Sequence, residues 1–203
     1  GPMLPFEIPA GTTLETLVTK ILPDAHAKLA KGKGKTRGVI RFEGGPSYTI
    51  DVDGSKLEVR KGEESGAQAW VVTKASTAEA FLADWTGPQR FAPKVAAAQF
   101  VLMTDPDVLK RVTMVEGKIE LAVRDFDGGR ASMTIALGAA AKKSIDPEDA
   151  GVVVEASVAV LERMLAGKLS PEEALADGDV TVKGKRLVAM QLAFALAPFF
   201  PKP

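Results

Sequence analysis

The run LVAMQLAFALAPFF, from Leu187 to Phe200, is the hardest constraint on what this chain can fold into. It carries no charge after Arg186. At about 14 residues it is too short to cross a bilayer, which needs about 20. It is apolar nearly all the way round a helix, so it must be buried on more than one side or face a ligand or a partner. Pro198 should end the helix. Alanines at 189, 193, 195 and 197 let the backbone pack closely, and Met190 adapts to irregular space.

Ahead of that run the hydrophobic period changes several times. Leu14, Leu17, Val18, Ile21 and Leu22 recur at helical spacing, and Pro23 should kink or end that helix, which residues 24–30 then resume. KGKGKTR (31–37) reads as a basic glycine loop. The runs GVIRFEGG, YTIDVDG, KLEVRKG and AQAWVVTK then alternate with period two between glycine turns, which predicts an antiparallel meander. Tyr48, Ile50 and Val52 point one way, and Thr49, Asp51 and Asp53 the other, so one sheet face demands a cover. Ser76 and Glu79 form a capping-box pattern that opens a helix carrying Phe81, Leu82 and Trp85. Pro93 starts another, through Leu102.

From Gly117 the order starts again. GKIELAVRDFDGG, ASMTIALG and GVVVEAS read as strands, followed by the helix VAVLERMLAG. VVTKAS (71–76) and VVVEAS (152–157) each end a strand and enter a helix that stops at a glycine. The spacing of roughly 80 residues predicts two related α+β halves, with the second more complete. Residues 3–104 form one and 105–203 the other, after a cleavage remnant at Gly1-Pro2. After Gly167 come a helical turn opened by Ser170 and Pro171, the strand DVTVKG and the final helix.

Composition excludes several functions. Lys plus Arg and Asp plus Glu are 26 each, so no basic excess is available for nucleic acid. Without cysteine there is no disulfide, thiolate nucleophile or cysteine metal site. KGKGKT lacks the first glycine of a phosphate loop, because Leu29 stands there. DVDG and DFDGG lack the third ligand and the closing Glu of a calcium loop, and read as hairpin turns. His26 is the only histidine and reads as a helix-surface residue. Glu63-Glu64 and Glu172-Glu173 read as loop and first-turn charges, and Tyr48, Trp70 and Trp85 as core. No metal or cofactor is expected, and no catalysis. With no signal-peptide pattern after Met3, the cytoplasm is the expected location.

Gly167, Lys168, Ser170-Pro171, Ala174, Gly178, the strand Asp179 to Lys183, Gly184 and the apolar helix from Leu187 stand in fixed order. This order resembles the end of the sterol carrier protein 2 family over residues 113–200, with residues 13–103 as a degenerate second copy. The resemblance implies a curved, mainly antiparallel sheet covered by helices. It also implies an apolar tunnel that holds a sterol, fatty acid, acyl chain or other lipid. Two departures bear on pocket size: Ala174-Leu175-Ala176 stands where the family often has aromatics, and the helix before the meander is reduced to 105–112.

Helical spacing then nominates residues. Leu187, Met190 and Phe194 share one stripe, expected to line the cavity, while Val188, Leu192 and Phe199 fall on a neighbouring stripe expected in the core. Val180, Val182 and Met164 would face the same cavity, and Phe199 and Phe200 would close its mouth. The expected partners are a lipid or other apolar small molecule and transient contact with a membrane surface. The alternatives are a protein-interaction or homodimerisation module using the same groove, and an accessory domain of an enzyme.

Overall fold

A computed structural model of the protein describes residues 6–86, 101, 103–126 and 128–200. The chain enters through α1 (Leu14–Thr16), a π-helical turn (Leu17–Ile21) and α2 (Leu22–Leu29), which run on continuously. Thr13 opens this helix, its hydroxyl accepting the Thr16 N–H at 3.1 Å. The helix does not end at Pro23. A proline offers no N–H to the carbonyl one turn earlier, and the wider π turn just before it absorbs that loss.

Four strands follow: β1 (Lys35–Glu43), β2 (Ser47–Asp53), β3 (Lys56–Lys61) and β4 (Ala69–Lys74). α3 (Ala75–Thr86) leaves β4 directly, which puts Ser76 in its first turn and not at the predicted cap. The helix expected from Pro93 to Leu102 lies outside the described residues, apart from Val101. α4 (Pro106–Thr113) leads into β5 (Gly117–Phe126), β6 (Gly129–Leu137), a 3-10 turn (Gly138–Lys142) and β7 (Val152–Ser157). Then come α5 (Val158–Leu165), α6 (Pro171–Ala176), β8 (Thr181–Gly184) and α7 (Arg186–Leu196), which ends in a 3-10 turn, Ala197–Phe199, at Pro198. Ser170 caps α6 as the sequence predicts: its hydroxyl accepts the Glu173 N–H at 3.1 Å and donates to the Glu173 carboxylate at 3.0 Å.

All eight strands form one mixed sheet in the order β3-β2-β1-β4-β6-β5-β7-β8. β1 pairs antiparallel with β2 and parallel with β4, and β5 pairs antiparallel with β6 and parallel with β7. Residues 38–87 and 117–167 thus share one antiparallel and one parallel pairing and a helix after the last strand, but the first stretch has four strands and the second three, so β3 has no counterpart. They meet where β4 pairs antiparallel with β6, Val71 opposite Ile135.

The first four strands are not a simple meander, however. The loop 62–68 recrosses the sheet, so β4 lies beside β1 and not beside β3. The polar sheet face holds that crossing. Arg41 and the Ser47 hydroxyl donate to Glu63, the Thr49 hydroxyl donates to the Gly62 carbonyl and accepts the Glu64 N–H, and Arg37 donates to the Ser65 carbonyl. A small apolar patch on the same face, Val39, Trp70, Val72 and Ala136, packs with Ala67 and Ala141.

The other face carries the main core. Tyr48, Ile50, Val52 and Leu57 are buried beneath the N-terminal helices. Ile119, Ile135, Leu137 and Val152 are buried against Val108 and Val112 of α4 and Ala189, Leu192 and Ala195 of α7. Each fully buried Val, Leu or Ile contributes about 1.5–3 kcal/mol.

Candidate functional site

α7 is seated by a close backbone approach. Gly184 ends β8 at φ +89° and its Cα lies against the Gly151 carbonyl, leaving no room for a Cβ. The Lys185 N–H then donates to Gly151 O at 3.2 Å, which turns the chain into the helix. Val188 reaches to within 3.3 Å of where a Cβ on Gly117 would stand. Bulk at either glycine would lift α7 from the sheet.

The helix that results has two apolar sides with opposite fates. Ala189, Leu192 and Ala195 are buried in the core with Val188 packed against them, as predicted for Val188 and Leu192. Leu187, Met190 and Phe194 do share one stripe, but it faces solvent: they are 66%, 39% and 63% exposed. They therefore form an open apolar surface and not an enclosed wall in this structure. The reason lies in the alanines. Small side chains on the packed side draw α7 onto β5 and β7, and the larger ones are left outside. One signal marked that face. Gln191, the single polar residue of the run, sits among the three and is also exposed.

The other nominated residues separate. Val180 and Met164 are buried together with Ala156, Leu169, Ala174 and Leu175, and Val182 is half-buried against them. Phe200 is half-buried and bridges this cluster to that of Phe126 and Leu165. Phe199 follows the helix in its 3-10 turn.

Among the described residues the exposed large hydrophobics are Met114, Leu187, Met190 and Phe194. Met114, 76% exposed, caps the end of α4, the helix packed beside α7. The charge on the segments around α7 is mixed, with Glu172 and Glu173 on α6, Asp177 and Asp179 before β8, and Glu116 after α4. Between Val180 and Phe200 stand Lys183, Lys185 and Arg186 and no acidic residue. All three cations are exposed, and Arg186 makes a long contact to the Leu175 carbonyl at 3.5 Å.

Two features elsewhere were not foreseen. His26 is fully buried and not on a helix surface: Nδ1 pairs with the Thr104 hydroxyl at 2.7 Å and Nε2 with the Gly54 carbonyl at 2.8 Å. It ties α2 to the β2–β3 turn and to the segment before α4. A cleft of about 370 Å³ opens between the start of α1, the turn 44–46 and α3. Tyr48 lies in it with a buried hydroxyl that has no hydrogen-bond partner, and the Glu15–Lys61 ion pair at 2.9 Å is on its lining. Among the described residues no cluster of three His, Asp or Glu side chains is placed to hold a metal ion, and no helix is long and apolar enough to cross a membrane.

The strands from β5 onward, the turns that follow them and the last helix lie in the part of the chain, residues 98–197, that matches the SCP-2 sterol transfer family. No curated protein matches the chain. Solved structures do. The sterol carrier protein domain 2 of Helicoverpa armigera is 21% identical, with 56% of this chain and 91% of that one covered at a TM-score of 0.37. Sterol carrier protein 2 from Yarrowia lipolytica in its apo form is 16% identical, with coverage of 46% and 80% and a TM-score of 0.34. A Thermus thermophilus protein described as possibly a sterol carrier protein is 26% identical, with coverage of 48% and 79% and a TM-score of 0.33. At such TM-scores the likeness assigns neither a site nor a ligand.

Proposed function

We propose that this protein is a non-catalytic lipid-binding protein of the carrier type, which takes up a sterol, a fatty acid or another acyl-chain ligand. The observation that carries this is the outer face of α7. A chain that buries Leu192 and Ala195 on one side of a helix leaves Leu187 and Phe194 about two-thirds exposed on the other. Covering such side chains with an apolar ligand is worth about 1.5–3 kcal/mol each, less the cost of ordering the ligand. The match of residues 98–197 to a sterol transfer family supports the same class of ligand. Val182 on β8 and Phe200 beyond α7 are half-buried and are the further ligand contacts of this reading.

The test is a titration with a fluorescent fatty acid, comparing the parent with a Leu187→Gln, Phe194→Gln double variant. Saturable binding that weakens at least about tenfold in the variant is the expected result, since two lost apolar contacts exceed 1.4 kcal/mol together. A parent that binds neither fatty acid nor sterol ends the proposal.

A further inference from the structure

We infer that the first half of the chain carries a second small-molecule site, the cleft between the start of α1, the turn 44–46 and α3, and that its ligand is a small organic amine whose ammonium group is held by Glu15, Glu79 and the Tyr48 hydroxyl. The cleft shares no residue with the outer face of α7 and lies outside residues 98–197, so the inference does not rest on the lipid-binding reading.

The key group is the Tyr48 hydroxyl. The side chain is fully buried, its ring edge-on to Phe42 at 6.3 Å and packed among Leu14, Ala75 and Leu82. A phenylalanine would fill that space equally well. The hydroxyl adds a buried polar group with no hydrogen-bond partner, which is destabilising unless something satisfies it. Burial, then the Glu15 carboxylate, raise its pKa against the opposing effect of Lys61, so the phenol stays protonated at neutral pH.

The groups beside it open easily. Lys61 stands directly opposite Tyr48 in the β2–β3 pairing, and its Nζ meets the Glu15 carboxylate at 2.9 Å on the cleft lining. These side chains are 70% and 58% exposed, and an ion pair so placed contributes little. Parting it costs less than satisfying the buried hydroxyl returns. The same pair shows that the lining takes an ammonium group, with Lys61 Nζ standing where a ligand's would compete.

Charge selects the head group. The ionisable groups of opposite sign on the lining are Glu15, Glu79 and Lys61, one anion in excess. Glu79, in the second turn of α3, is exposed and has no ion pair or hydrogen bond among the described residues. Glu43 and Lys74 flank the turn, but they face each other in the β1–β4 pairing, cancel in charge and belong to the opposite sheet face, with Arg41 and Trp70. A primary ammonium has three N–H donors, matched by two carboxylates and a phenol oxygen. An anion would find two carboxylates and one lysine already paired. Leu14, Pro46 and Ala75 give the apolar body a seat, and about 370 Å³ is the volume of a small-ligand site. Gly45 holds the turn close to α3, since a Cβ there would stand 3.2 Å from that of Ala75.

The experiment titrates the whole protein with three molecules of one shape: phenethylamine, hydrocinnamate and phenethyl alcohol. Tyr48 is the single tyrosine, so fluorotyrosine labelling gives one fluorine NMR signal, at the site. Phenethylamine should move that signal saturably and bind at least about tenfold more tightly than the other two. Glu79→Gln should weaken the amine about fivefold. Lys61→Gln should tighten it about threefold by freeing Glu15, a gain that a damaged fold cannot mimic. Tyr48→Phe, followed by calorimetry, should bind the amine about tenfold more weakly and melt no lower than the parent, because the hydroxyl it loses has no partner.

A signal that phenethylamine leaves unmoved overturns the inference, as do equal affinities for the three probes or an amine affinity unchanged in Glu79→Gln. A Tyr48→Phe protein that melts lower shows a hydroxyl already satisfied, and overturns it too. Fatty-acid uptake is read separately. Amine binding without lipid uptake keeps this site and removes the carrier reading, and lipid uptake without amine binding does the reverse.

Discussion

Asp105 caps α4 and, with the same carboxylate, holds Lys31 in the loop that leaves α2. Its Oδ2 accepts the Lys31 N–H at 2.7 Å and the Gly32 N–H at 3.1 Å, while Oδ1 accepts the Asp107 N–H at 2.9 Å. Gly32 packs against this carboxylate with no space for a Cβ. One side chain therefore fixes how the N-terminal helices meet the segment that begins the second half.

Burial raises the Asp105 pKa, but hydrogen bonds from the Lys31, Asp107 and Gly32 N–H groups outweigh it, and the net position is below the ordinary value. A carboxyl with a lowered folded pKa stabilises the protein above its unfolded pKa, about 4, and loses that contribution as pH falls through the folded value. Asp105→Asn should cost about 1–3 kcal/mol at neutral pH and flatten the acid limb of the stability curve. Urea melts from pH 7 to pH 2 on both proteins check this; parallel curves would refute it.

Asp51 should behave similarly on the other sheet face. Hydrogen bonds from Arg37, then Arg60, lower its pKa to about 2 against an opposing effect of burial. Its contribution is complete above about pH 4 and disappears towards pH 2. The pairs are partly exposed, so Asp51→Asn should cost only about 1 kcal/mol, and less in high salt. Denaturation of the variant at low and high salt measures it.

Gly184→Ala should be among the most damaging single-methyl changes. It adds a Cβ where the Gly151 carbonyl already stands and forces a side chain into φ +89°. A loss above about 2 kcal/mol is expected from the backbone strain and overlap together. Gly54→Ala, at φ +59° with nothing within 4 Å, should cost about 1 kcal/mol. Equal losses would show that the approach of β8 to Gly151 is not tight.

The two sides of α7 give a further contrast. Leu192→Ala removes a side chain that is 4% exposed and should cost about 2–5 kcal/mol. Phe194→Ala, two residues away and 63% exposed, should change stability by less than about 0.5 kcal/mol. Thermal melts of both variants decide it.

Much of this was legible in the sequence. The alternation of YTIDVDG and KLEVR marked the buried sheet face, and Ser170-Pro171 marked a helix start, because those patterns reflect local geometry. The strand-to-helix step shared by the two halves could be read from VVTKAS and VVVEAS. The recrossing of β4 beside β1 could not, since the Glu63–Arg41 and Thr49–Gly62 contacts that hold it are long-range. His26 was misplaced for the same reason: its partners Thr104 and Gly54 are distant in sequence, and no local period announces them. On α7 the spacing grouped Leu187, Met190 and Phe194 correctly. It could not say which stripe meets the sheet, because that depends on how closely the alanines pack.

The central claim, that the protein binds lipid, is tested most directly by mass spectrometry of an organic extract of the purified protein. The account predicts a sterol, fatty acid or phospholipid in near-stoichiometric amount, or its uptake on incubation with lipid, reduced in both cases by Leu187→Gln with Phe194→Gln. An extract free of lipid, from a folded protein that also takes up none when it is supplied, would contradict it.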